Sequence, residues 1–135
     1  MESAALLATA TLFGGMTLYS FGFAPLLFAE LRAEAAGRLL RRAFPWYYLF
    51  IIAVSALGAG LLWPLDRLSV GLMIGTAAIA LVARQGLMPR INSARDAFTA
   101  GDATAKRKFD MLHGLSVALN MVQLGLVAWV LIRFL

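Results

Sequence analysis

The chain has 135 residues, of which 61% are hydrophobic and only 14% are charged. Soluble domains carry about one quarter charged residues, so this composition predicts a single-domain integral membrane protein. The absence of cysteine excludes disulfides, thiolate metal sites and cysteine nucleophiles. The net charge of +5 does not indicate a nucleic-acid partner, because the basic residues cluster beside hydrophobic segments and leave no basic face with interleaved aromatic residues.

The first hydrophobic segment covers residues 4–28 and exceeds the ~20 residues that a helix needs to cross a bilayer. Glu2 stands where a signal peptide would carry positive charge, so we interpret the segment as a retained span. Residues 30–43 then alternate charged residues with leucine and alanine. This pattern predicts an amphipathic helix at the headgroup boundary, attracted by anionic lipid.

The second span is predicted over residues 45–63 and begins with clustered aromatic residues. We interpret Tyr47 and Tyr48 as part of an aromatic belt at the membrane interface. The alternative is that they join Tyr19 and Ser20 of the first span in a polar interior.

The very short turn at residues 64–67 predicts that the second span and a third span over 68–88 are antiparallel neighbours. Pro89 is expected to kink the third helix without necessarily ending it. Small residues four positions apart have the spacing that lets membrane helices approach closely, and they occur as two pairs: Ala56 with Gly60, and Gly71 with Gly75.

A helical hairpin over residues 89–110 is predicted to project past the membrane, with Gly101 and Asp102 at its turn, before a fourth span over 111–133. The connection over residues 90–110 contains five Lys or Arg residues, and the connection over residues 29–44 contains four. The N-terminus, the 64–67 turn and the C-terminal end contain none, one and one. Positively charged loops favour the cytoplasm, so both termini are predicted to face away from it.

The fourth span carries one polar stripe. His113, Ser116, Asn120 and Gln123 recur at steps of three, four and three, which places them on one face of a helix. Polar groups are costly in contact with lipid, so this face is expected to turn towards other helices or a wet cavity.

The hairpin register brings further polar residues towards this stripe. Folding about Gly101 places Arg84 near residues 116–120 and Asp110 opposite residues 90–92. We therefore predict a ligand-binding site or polar core whose members are Arg84, Asp110, His113, Ser116, Asn120 and Gln123. In this site Arg84 would supply positive charge, and His113 would act as a ligand or proton carrier. The alternative is that Arg84 extends to the headgroups and the stripe serves interhelical packing.

Cofactor and catalytic roles centre on His113, the only histidine. Met88 and Met111 are predicted close to it, and thioethers with imidazole suit Cu(I) or another soft metal, while a lone histidine can ligate haem iron. Methionine is also ordinary packing material, so no cofactor is required. Asp110, His113 and Ser116 do not indicate a hydrolase triad, because residues along one helix row point outward together and no oxyanion donor is identifiable.

Several local patterns coincide along the chain: Leu12-Phe13-Gly14-Gly15 with Ala24-Pro25, Ala36-Gly37, Phe44-Pro45-Trp46-Tyr47, Pro89-Arg90-Ile91-Asn92 with Arg95-Asp96, and Phe109-Asp110-Met111-Leu112-His113-Gly114-Leu115-Ser116 with Asn120. Together they resemble the bacterial relatives of human transmembrane protein 205, a family of small four-helix membrane proteins described as a domain of unknown function. The resemblance implies a four-span membrane protein and no established reaction. The vertebrate member's link to platinum-drug resistance would favour soft-metal handling through Met and His.

We therefore predict an all-α, integral membrane, antiparallel four-helix bundle of the bacterial inner membrane, with an amphipathic interfacial helix between spans 1 and 2. The predicted function is non-enzymatic: binding or conducting a small solute or soft metal ion at the intramembrane polar site. The alternatives are a structural or assembly subunit that packs against another membrane protein, and a haem-binding membrane protein. The expected partners are the lipid bilayer, a second copy in a homo-oligomer or another membrane protein, and no nucleic acid.

Overall fold

The computed structural model describes residues 1–135 and contains four long helices. We label them as follows: α1 (Glu2–Glu30), α2 (Ala33–Leu62), α3 (Arg67–Thr99) and α4 (Ala105–Ile132). Each helix is long and apolar enough to cross a membrane, and there is no strand. The prediction of an all-α protein with four candidate membrane spans is confirmed.

Contacts between neighbouring helices run in opposite order along the chain. Arg41 of α2 pairs with Asp96 of α3, and further along α2 the carbonyl of Pro45 lies beside Arg84. Residue numbers therefore rise along one helix as they fall along its neighbour. The same order holds for α1 with α2 and for α3 with α4, at these contacts: Gly15 with Phe50, Ser20 with Tyr47, Thr76 with Gln123, and Asp66 with Arg133.

The interior of the bundle is packed with apolar side chains, and so is much of its outer surface. The largest fully buried apolar residues are Leu12, Met16, Ile51, Met73, Val127 and Val130. Large apolar residues such as Leu7, Leu57 and Ile74 are more than half exposed. Acyl chains are as apolar as leucine, so such a surface requires no protein cover inside a bilayer.

Two helices widen into a π-helical segment just before a proline. The segments cover Leu18–Phe23 in α1 and Ala83–Leu87 in α3, and each ends two residues before Pro25 or Pro89. A proline ring lacks an N–H group and clashes with the carbonyl four residues earlier. A wider turn moves that carbonyl away, so both helices continue past their proline.

Residues 30–43 do not form a separate interfacial helix, and that prediction is wrong. α2 is continuous from Ala33 to Leu62, and only Leu31 and Arg32 have the extended backbone that separates it from α1. Pro45 removes one hydrogen bond from the ladder of a helix that is intact on both sides of it. The amphipathic stretch is therefore the first part of α2.

The glycines that allow close approach within the chain are Gly15 and Gly37. A Cβ added at Gly15 would lie 2.6 Å from Cζ of Phe50 on α2. At Gly60, Gly71 and Gly75 an added Cβ would meet no atom within 4 Å. The predicted small-residue pairs therefore lie on the outer surface and do not pack helices of this chain together.

Candidate functional site

A cavity of about 760 Å³ lies between the four helices at the end of the bundle that carries the basic connections. Its walls come from the second half of α1, the first half of α2, the end of α3 and the first half of α4. Eight of the lining residues are aromatic: Tyr19, Phe21, Phe28, Phe44, Tyr47, Tyr48, Phe98 and Phe109. The cavity therefore has largely apolar walls, and its polar groups are concentrated at its two ends.

The inner end of the cavity is closed by a hydrogen-bonded network of Ser20, Tyr47 and Asn120, which we call the polar network. Tyr47 Oη donates to Asn120 Oδ1 at 2.7 Å, and Asn120 Nδ2 donates to Ser20 Oγ at 2.8 Å. Ser20 Oγ also lies 3.4 Å from Tyr47 Oη. These residues come from α1, α2 and α4, so the network joins three helices where unpaired polar groups would be costly.

Aromatic stacking holds Tyr47 in place for this network. The rings of Tyr19 and Tyr47 stack with centroids 3.9 Å apart and an angle of 11° between their planes. Tyr47 and Tyr48 are only 7% and 5% exposed. Their interpretation as an interfacial aromatic belt is therefore wrong, because α1 covers the face of α2 on which Tyr47 stacks.

The outer end of the cavity is charged, and most of its charges are paired. Arg41 holds Asp96 through two hydrogen bonds, of 2.6 and 3.1 Å. The other two ion pairs at this end are Lys106 with Asp110 and Glu34 with Arg38. Because each pair joins one positive and one negative side chain, the three pairs add little net charge to the cavity wall.

Arg95 is the exception among the charged lining residues. It lines the cavity and makes no side-chain hydrogen bond or ion pair. Its guanidinium group lies against the backbone of Gly37, in the space that a Cβ at position 37 would fill. An unpaired cation therefore faces the outer end of the cavity.

The structure brings most of the predicted stripe to this cavity. Asp110, His113, Ser116 and Asn120 all line it. The His113 ring stacks on Phe109 at 5.7 Å, and Ser116 Oγ donates to the carbonyl of His113 at 2.7 Å. Thus three of the four stripe residues, His113, Ser116 and Asn120, line the cavity, and of these only Ser116 is buried while His113 is exposed.

Arg84 and Gln123 do not line this cavity. Arg84 lies in the π-helical segment of α3, and its Nε donates to the carbonyl of Pro45 on α2 at 3.4 Å. Gln123 is buried and donates to the carbonyl of Thr76 on α3 at 2.9 Å. The one side-chain hydrogen bond of Arg84 is therefore to α2, and it makes none to residues 116–120, where the hairpin register had placed it.

The three residues expected to bind a soft metal ion are not brought together. His113 and Met88 line one small cavity of about 30 Å³, next to the larger one. Met111 lines neither cavity and is 66% exposed. Its position two residues before His113 on the same helix turns the two side chains in different directions. No three His, Asp or Glu side chains form a group that could hold a metal ion.

Sequence reasoning missed Arg95 and Arg41 as lining residues, because it assigned Arg41 to an interfacial helix and Arg95 to a helical hairpin that projects past the membrane. A signal was present for Arg95: Asn92, Arg95 and Thr99 recur at helical spacing after Pro89, and all three line the cavity. Their shared face indicates that the end of α3 turns polar groups inward.

The comparison with protein families gives one match. A family model described as Domain of unknown function (DUF4149) matches residues 7–99, which include most of α1, α2 and α3. No curated protein and no solved structure matches the chain. The matched residues contain the polar groups Ser20, Tyr47 and Arg95, whereas Asn120 and the rest of α4 lie beyond them. Because the match covers more than half of the chain, this protein belongs to the family described as Domain of unknown function (DUF4149).

Proposed function

We propose that this protein is a non-enzymatic, antiparallel four-span protein of the bacterial inner membrane that binds a small amphipathic solute in the cavity. The observation that supports this most strongly is that Asp110, His113, Ser116 and Asn120 line one cavity in which hydrophobic residues make up about half of the lining. Ligand sites typically have volumes of ~300–1,000 Å³, apolar walls and a few placed polar groups. The volume of about 760 Å³ falls within that range.

The arrangement of polar groups favours binding over conduction. The polar network closes the inner end of the cavity, and its three residues use their hydrogen-bonding groups on one another. Beyond it lie fully buried apolar residues such as Leu12, Met16 and Val127. The buried polar side chains of Thr76 and Gln123 in that core donate to backbone carbonyls of the protein itself, so we propose a site with one polar entrance.

The placement in the membrane follows from charge. The basic residues of the 29–44 and 90–110 connections lie at the end where the cavity opens, and such residues favour the cytoplasm. We therefore propose a cytoplasmic entrance and two termini on the opposite side. We also propose kinship with the relatives of human transmembrane protein 205, on the pattern of Phe109, His113, Ser116 and Asn120.

The experiment uses naphthalene-2-sulfonate, a soluble probe with an apolar body and one negative charge. Thermal unfolding of the purified chain in maltoside micelles measures binding, because a ligand of the folded state raises Tm with its concentration. Ala24→Trp places a large ring in the cavity and is expected to weaken binding at least about tenfold. Ala29→Trp is the matched control, because Ala29 is exposed on the same helix and does not line the cavity.

The expected result is a saturable rise in Tm for the wild-type chain and for Ala29→Trp, whereas Ala24→Trp should need at least about tenfold more probe for the same rise. An equal rise in both variants would place the binding elsewhere and contradict the proposal. The absence of any saturable rise in the wild-type chain would contradict it as well.

A further inference from the structure

The cavity has a second opening, on the side of the bundle between α1 and α4. The first part of α1, Glu2–Thr17, packs against α4. The last part, Ala24–Glu30, packs against α2 and makes no comparable contact with α4. The two helices therefore separate towards the basic end of the bundle, alongside the cavity.

The side chains at this gap are apolar and face both the cavity and the exterior. Phe21 and Phe28 of α1 line the cavity, yet they are 62% and 53% exposed. Val117 and Met121 of α4 line it too, with 46% and 39% exposure. A residue can meet both conditions only where the cavity reaches the outer surface. That surface is the apolar exterior of a membrane helix, so the gap opens towards acyl chains.

The charge that remains unpaired at the outer end is positive. Arg95 has no ion-pair partner, whereas the other charged lining residues, Arg41, Lys106, Glu34 and Asp110, are paired. An arginine guanidinium carries several donors in a fork that matches carboxylate and phosphate groups. The free charge and the donor geometry therefore both favour an anionic headgroup.

We infer that the cavity takes a single-chain anionic lipid, which enters from the bilayer between α1 and α4 and places its headgroup at Arg95. This inference rests on the proposed function and names the class of its solute. The acyl chain lies between the apolar residues of the gap and extends into the bilayer. It does not continue inward, because the hydrogen-bonded side chains of Ser20, Tyr47 and Asn120 join three helices there and close the inner end of the cavity.

The headgroup site depends on the lack of a side chain at Gly37. The Arg95 guanidinium lies where a Cβ at position 37 would be, and the colliding atoms belong to the flexible end of that side chain. Gly37→Ala therefore displaces the guanidinium group while leaving its charge in the protein. This substitution tests the position of the charge separately from its presence.

The experiment uses palmitate with a photoreactive diazirine in mid-chain, added to the full-length chain in phosphatidylcholine nanodiscs. After illumination, mass spectrometry locates the labelled residues, and competition gives relative affinities. We expect saturable labelling within residues 21–28 and 117–121. Unlabelled palmitate is expected to compete about tenfold more strongly than hexadecanol, its uncharged analogue, and inorganic phosphate is expected not to compete.

Two substitutions are expected to abolish the advantage of palmitate over hexadecanol: Arg95→Gln, which removes the charge, and Gly37→Ala, which displaces it. Each has a matched control on the same helix. Arg90→Gln removes an exposed charge that does not line the cavity, and Gly60→Ala adds a methyl group in open space. Both controls are expected to retain the advantage, and circular dichroism shows which variants are folded.

Labelling that spreads over all lipid-exposed faces without saturation would overturn the inference, and so would equal competition by palmitate and hexadecanol. Competition by inorganic phosphate as strong as that by palmitate would identify a soluble anion instead. If naphthalene-2-sulfonate still binds in the cavity, these results overturn only the lipid inference. If neither probe binds there, the proposed function fails too.

Discussion

Tyr47 Oη donates a 2.7 Å hydrogen bond to Asn120 Oδ1, and this bond joins α2 to α4 at the inner end of the cavity. Both side chains come from helices that are otherwise apolar at this level. The bond therefore fixes how the two helices are rotated with respect to each other, and with it which face of α4 lines the cavity.

Tyr47→Phe is expected to lower the free energy of unfolding by about 0.5–2 kcal/mol, because hydrogen bonds between membrane helices are modest but an unpaired buried amide is costly. Chemical unfolding in mixed micelles measures this change. Tyr48→Phe is the matched control, since its hydroxyl takes no part in the polar network, and it should have a smaller effect. A double-mutant cycle with Asn120→Ala should give a favourable coupling energy between Tyr47 and Asn120. Additive effects of the two substitutions would contradict the hydrogen bond between them.

Gly15→Ala is expected to destabilise the fold by about 1–3 kcal/mol, because the new methyl group overlaps the Phe50 ring, so that either the ring or α1 must move. The neighbouring glycine supplies the control: a Cβ at Gly14 meets no atom within 4 Å. Alanine has the higher helix propensity, so Gly14→Ala should be neutral or slightly stabilising. Thermal unfolding of the two variants side by side tests the prediction, and equal Tm values would show that α1 does not approach α2 so closely.

The turn between α2 and α3 should make stability sensitive to acid. Asp66 accepts hydrogen bonds from Arg133 Nε at 2.6 Å and from Ser69 Oγ, and these bonds lower its pKa to about 2. In the unfolded chain the pKa of aspartate is about 3.9. The folded state therefore binds the proton more weakly than the unfolded state, so this contribution to stability is present above about pH 4 and is lost as the pH falls towards 2.

Tm measured between pH 5 and pH 2 should accordingly decrease, and Asp66→Asn should decrease less over the same range. Its Tm at pH 5 should already be lower than that of the wild-type chain. Parallel curves for the two proteins would show that the ion pair with Arg133 does not contribute.

Arg84→Gln should leave the affinity for naphthalene-2-sulfonate within about twofold of the wild-type value, because Arg84 donates to the carbonyl of Pro45 and does not line the cavity. Arg95→Gln should weaken the same binding about tenfold. The Tm assay described above measures both variants. A large loss with Arg84→Gln and none with Arg95→Gln would restore the site expected from the hairpin register and contradict the site described here.

Hydropathy and helical period were sufficient to predict the helices and the common face of the stripe. The four apolar segments are each close to or above the ~20 residues that cross a bilayer, and the spacing of His113, Ser116, Asn120 and Gln123 is a property of one helix alone. The sequence did not predict that most of residues 30–43 would form one continuous helix with the second span. The second span was predicted to begin at Pro45, whereas the helix is intact on both sides of Pro45 and α2 continues through it.

The partners of each polar side chain were decided by the tertiary structure. Arg84 bonds to α2 instead of α4, Tyr47 turns inward instead of to the interface, and Arg95 reaches the cavity across Gly37. The amino-acid sequence by itself determined which residues share a helix face, because that follows from 3.6 residues per turn. Only the packed bundle decided which face meets which neighbour. These contacts depend on the π-helical segments, on the stacking of Tyr19 with Tyr47 and on the space beside Gly37, and all three involve how one helix is placed against another.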